Sequence, residues 1–154
     1  MNKKQTTVFA MLALVFGAAI SPILSANHVE ARPDDNRYVL YGDLTSPDGK
    51  TLFGGDKVGF YSIGVKDEFT SIYAKLDHRP SSGMVFEGWL VDVQTGEKHS
   101  IGTFKEDHKR GESFTVDSEF HYDVFVVTEE PKIDSDPAPN KPVAGVPLGK
   151  PFGQ

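Results

Sequence analysis

A chain of 154 residues with 22 acidic against 16 basic side chains, net charge −6, lacks the basic surface that displaces counterions from a phosphate backbone, which excludes nucleic acid as a partner. The absence of cysteine excludes a disulfide framework, lipid attachment through an N-terminal Cys, thiolate metal sites and copper centres built on a thiolate. The length suits a single domain with its own core.

The first element is a leader. Lys3 and Lys4 precede an apolar run from Val8 to Leu24, the layout of a secretory signal. Small-residue cleavage sites follow Ala26 and Ala31, so residues 1–31 read as a signal peptide or N-terminal anchor, and the mature chain starts at Asn27 or Arg32. The alternative is an uncleaved tether through residues 8–24, whose 17 residues fall just short of a bilayer-spanning helix of roughly 20. Both readings place the remainder outside the cytoplasm. Cleavage after Ala31 removes Lys3, Lys4 and Glu30, leaving 123 residues and moving the formal charge from −6 to −7.

Residues 32–143 read as one β domain. Tyr38 to Leu44 alternates, with Tyr38, Leu40 and Gly42 on one face and Val39, Tyr41 and Asp43 on the other. Ser46-Pro47-Asp48-Gly49 is a turn at which the chain doubles back. Lys57 to Val65 and Glu68 to Leu76 are two further strands, followed by a loop from Asp77 to Gly83. Met84 to Val93 carries the only tryptophan and is apolar on both alternating sets, the pattern of a central strand covered on both sides. Gln94-Thr95-Gly96-Glu97 turns it into a partner from Ser100 to Phe104. After a charged loop, Glu106 to Glu112, come Phe114 to Val116 and the doubly apolar Tyr122 to Thr128. No helical stripe follows the leader. Short strands separated by turns at roughly 8 to 12 residues predict an all-β fold, an antiparallel Ig-like sandwich behind a signal or anchor helix.

Pro131, Pro137, Pro139, Pro142, Pro147 and Pro151 crowd the end of the chain. Proline has no amide donor, so this stretch is expected to stay out of the sheet interior, as a strap along the body or a loose terminus, with residues 144–154 forming a Pro/Gly-rich tail.

No reaction centre is expected. His28, His78, His99, His108 and His121 are dispersed without ligand spacing, although folding could gather His78, His99 and His121. Glu129, Glu130, Asp134 and Asp136 lack the glycine and distal glutamate of an EF-hand loop. There is no G-x-S-x-G elbow or phosphate loop. Trp89 reads as core rather than a sugar-stacking platform. The sequence therefore predicts no catalytic, cofactor or metal residues. It predicts a non-enzymatic module that binds an envelope protein or small ligand, with loops 77–83 and 106–112 as contact surfaces. A metal-binding or metal-dependent extracytoplasmic protein and a structural envelope component are the alternatives.

The order of landmarks resembles the extracytoplasmic C-terminal domain of anti-sigma-K factors. Phe86-Glu87-Gly88-Trp89-Leu90-Val91 looks like that family's tryptophan strand and Gly102-Thr103-Phe104 like its Gly-x-Phe strand. Val124 to Val127 with Glu130-Pro131, the prolines from Pro137 to Pro142 and the turn Ser46-Pro47-Asp48-Gly49 complete the likeness, which spans about Tyr38 to Val143. Lys132-Ile133-Asp134-Ser135-Asp136 stands where the family carries a Gly-Gly pair. The resemblance implies a sandwich and an extracytoplasmic location. With seven residues ahead of Val8, no sigma-binding segment is expected.

Overall fold

The computed structural model describes residues 28–32, 37–66, 69–105, 112–117, 121–134 and 136–148. The leader run at 8–24 and most of the loop expected at 106–112 lie outside the described residues. Among the described residues no helix is long and apolar enough to cross a membrane.

Among the described residues, nine strands form one curled antiparallel sheet: β1 (His28–Arg32), β2 (Arg37–Thr45), β3 (Lys57–Lys66), β4 (Phe69–Leu76), β5 (Met84–Val91), β6 (Lys98–Thr103), β7 (Glu112–Asp117), β8 (Val124–Pro131) and β9 (Lys141–Pro147). Their spatial order is β6-β5-β8-β9-β2-β3-β4-β7, with β1 added to the free side of β2. The alternation in β2 and β4 sends Leu40 and Leu44, and Ile72, Ala74 and Leu76, into the concave face, as period-two patterning requires. From the other half of the sheet Phe86, Leu90, Phe125, Val127, Ala144 and Val146 enter the same core, so the curl folds one half of the inner face over the other. The two edge strands, β6 and β7, approach each other and narrow the opening.

Both β5 and β8 are covered on both faces, as their doubly apolar sequences predict. Trp89, Val91, Val124 and Val126 form a second cluster on the convex side, roofed by Leu52 and Phe53. Those two residues come from the connection between β2 and β3, whose base is closed by Ser46 N–H to the Asp56 carbonyl at 3.0 Å and Gly55 N–H to the Ser46 carbonyl at 3.0 Å. Its turn forms as expected: Asp48 Oδ1 accepts the amides of Lys50 (2.7 Å) and Thr51 (2.6 Å), and Gly49 takes a φ of 78°.

Two strands depart from the sequence reading. β1 lies partly within the segment assigned to the leader and pairs with β2 from His28↔Tyr41 to Arg32↔Arg37. β9 overturns the expectation that the proline-rich stretch stays out of the sheet interior, because it sits between β8 and β2 and continues past the expected domain boundary at Val143. The prolines occupy places where no ladder donor is needed. Pro142 faces Thr128 at the register shift between Val127 and Thr128, and Pro147 closes the strand opposite Val124. The intervening Ala144-Gly145-Val146 supplies the paired and buried residues, with Val143 the extra residue at the shift. At Gly145 a Cβ would overlap the Phe53 ring and lie 2.7 Å from the Phe125 carbonyl oxygen, so only glycine lets that roof close.

The pairing of β9 to β2 is a single residue pair, Thr45↔Gly145, at the register shift where β3 carries the extra residue Val58 against Leu44 and Thr45 of β2. Elsewhere along that side β2 pairs with β1.

Candidate functional site

The loop between β4 and β5, expected as a contact surface, lines a cleft of about 300 Å³. Its walls are Arg79, Pro80, Ser81, Ser82, Gly83, Met84, Val85, Phe104 and Lys132. Local chemistry sets the loop's shape. Asp77 N–H donates to the Val58 carbonyl (2.9 Å) as β4 ends. Ser81 N–H then donates to Glu129 Oε1 at 2.5 Å, and Met84 N–H donates to the Ser81 carbonyl at 3.0 Å. Gly83 turns with φ 81°, a left-handed value that favours glycine, and its carbonyl accepts Lys132 N–H at 3.0 Å. The loop is thus fastened to β8 at two points. His78 packs edge-on against Phe86 at 5.3 Å, and Phe86 against Phe104 at 6.3 Å, tying the start of the loop to the core.

The Ser81 amide holds the Glu129 carboxyl below the usual glutamate range, with smaller help from the charges of His78 and Lys141. A folded value lower than the unfolded one contributes stability that is complete above the ordinary glutamate range and disappears as pH falls through the lowered value. In an amide pH titration by NMR, the Ser81 signal is expected to move with a midpoint below the ordinary glutamate value, and Glu129→Gln should abolish that movement. A midpoint at or above the ordinary glutamate value would remove the loop's carboxylate anchor from the account.

At the other end of β5, Asp92 Oδ1 accepts the amides of Gln94 (2.7 Å) and Thr95 (3.1 Å) in the expected turn, which lowers its pKa, and Gly96 takes φ 78°. His121 stacks on Tyr122 at 4.3 Å, His99 approaches the same ring at 6.1 Å, and His121 Nε2 lies 3.6 Å from Glu97 Oε2. The structure therefore brings His99 and His121 together but leaves His78 beside Phe86. Only the backbone of His28 is described, and His108 lies outside the described residues. Among the described residues no three His, Asp or Glu side chains are arranged to hold a metal ion.

The acidic run is engaged in shaping the chain between β8 and β9. Asp134 Oδ1 accepts Asp136 N–H (2.8 Å), Asp136 Oδ1 accepts Ala138 N–H (3.0 Å) and Glu130 Oε1 accepts Asn140 N–H (2.8 Å). Each of these carboxylates fastens a nearby backbone amide rather than converging on a common point.

Trp89 is core: it is 7% exposed and its Nε1–H donates to Thr128 Oγ1 at 2.8 Å. The groove above it, between Leu52, Phe53, Pro139 and Pro142, has a volume of about 10 Å³. That is room for one water, and no sugar ring reaches the indole face. Sequence reasoning found loop 77–83 but missed Lys132 and Phe104, which the pairing of other strands delivers to the cleft. Comparison with protein-family models, with curated proteins and with solved structures found no match.

Proposed function

We propose that this chain is a non-enzymatic, exported binding module that engages an envelope protein outside the cytoplasm through loop 77–83. The observation that carries the reading is the cleft: a loop fastened to the end of β8 by its own backbone forms, with Lys132 and Phe104, a concavity that holds two cations, the Ser82 hydroxyl and an apolar wall. The finer architecture proposed is a two-layer sandwich, similar to the extracytoplasmic domain of anti-sigma-K factors, in which the halves of the curled sheet serve as the layers. The shared core between those halves supports it.

Export rests on the leader, and β1 favours one of its two cleavage sites. A cut after Ala31 would remove most of a strand that pairs with β2, whereas a cut after Ala26 keeps it whole. Mass spectrometry of the protein recovered from cells is expected to give a first residue of Asn27. A start at Arg32 would overturn the role of β1, and a start at Met1 would replace release by tethering. A photoreactive residue at position 82 on intact cells is expected to cross-link one discrete envelope protein, and the same probe at position 71, on the convex face of β4, is expected not to. Equal labelling from both positions would overturn the assignment of the contact surface.

A further inference from the structure

We propose that the cleft beside Arg79 is a carboxylate site, taking a peptide whose single carboxylate stands next to an aliphatic side chain; the proposal rests on loop 77–83 being the contact surface. Charge is the first argument. The chain carries an excess of six acidic residues, yet among the described residues no Asp or Glu lines this cleft, while Arg79 and Lys132 both do. Arg79 is exposed and has no ion-pair partner among the described residues, so its planar fork of donors is available to a carboxylate. The Ser82 hydroxyl adds a neutral donor beside it.

The remaining lining selects among anions. Pro80, Met84, Val85 and Phe104 give the cleft an apolar wall that a hydrated inorganic ion would not use. Its volume of about 300 Å³ lies at the small end of ligand pockets and fits a peptide fragment better than a long chain. The carboxylate of Glu129 sits directly behind the loop, bonded to Ser81 N–H, and is held ionised by that bond. A fixed negative charge there penalises a dianion more than a monoanion, which favours carboxylate over phosphate. Because the loop's backbone is already tied to Glu129 and Lys132, a ligand meets a shaped surface and little ordering entropy is lost.

The test uses the purified full chain and calorimetric titration with three probes: N-acetyl-Leu-Leu as the free acid, the same dipeptide as its C-terminal amide, and N-acetyl-Leu-Asp amide. The acid is expected to bind at least about ten-fold more tightly than the amide, as a charge-assisted pair contributes. Arg79→Ala should remove that advantage with no change in the urea midpoint, Arg79→Lys should keep part of it, and raising salt should weaken it. Tight binding of the Asp probe assigns the natural carboxylate to a side chain, and weak binding assigns it to a chain end. Equal affinity for acid and amide, or tighter binding of phosphoserine in the same peptide frame, would overturn the ligand class. If position 82 still cross-links its partner in that case, the contact surface stands and only the carboxylate assignment falls.

Discussion

A chain ended at Asn140 is expected to lose cooperative folding altogether. Such a truncation removes β9, which pairs with β8 from Val124 to Glu129 and meets β2 at Thr45. It also takes Ala144, Val146 and Leu148 out of the concave core and leaves Phe53 without the Gly145 backbone beneath it. Each large apolar side chain so removed accounts for about 1.5–3 kcal/mol of burial, and β8, still paired to β5, would be left with an open edge in the middle of the molecule. Against a typical total stability of about 5–15 kcal/mol the combined loss is decisive. Urea denaturation followed by circular dichroism should show no sigmoidal transition for the truncated chain. A retained midpoint would mean that the halves of the sheet hold together without β9. A milder probe of the same strand is Gly145→Val, whose new methyl groups meet the Phe53 ring and the Phe125 carbonyl. Overpacking of this kind lowers stability by about 1–3 kcal/mol.

Trp89→Ala is expected to lower stability by about 3–5 kcal/mol, the range for emptying a buried aromatic site. The indole fills the convex cluster against Phe53 and Val126, and its N–H reaches a hydroxyl that is itself fully buried. The polar part can be separated from the packing part. Thr128→Val keeps the shape but leaves the indole N–H without its acceptor, a change expected to remove about 1–3 kcal/mol. Unfolding monitored by circular dichroism measures both variants, and Thr128→Val retains the tryptophan fluorescence as a second reading. A loss below 1 kcal/mol for Trp89→Ala would contradict the placement of this side chain in the core.

The residues that announced themselves were those whose burial follows from position along one strand. Leu40 and Leu44, or Ile72, Ala74 and Leu76, mark an inner face by alternation alone. The doubly apolar β5 and β8 announced a covered centre, though the sequence did not name Leu52 and Phe53 as the cover. The proline-rich end misled because a rule about single residues was applied to a whole stretch. Pro142 and Pro147 fall at a bulge and a strand end, and Ala144, Gly145 and Val146 between them are enough for a short buried strand. β1 gave no signal, since His28 to Arg32 mixes charge and apolar character without a period and borders the leader. For the cleft, a loop rich in Ser, Pro and Gly was legible, but its partners were not. Lys132 reaches it through the end of β8 and Phe104 through the end of β6, and those registers are set by long-range pairing.

The lone Thr45↔Gly145 bridge gives this molecule an uneven mechanical grain. Within either half, pulling strands apart must break a ladder of amide bonds, while parting the halves from each other works mainly against interlocked hydrocarbon. Because that attraction weakens on cooling and under pressure, the seam is the plane along which the protein yields first in the cold or when squeezed.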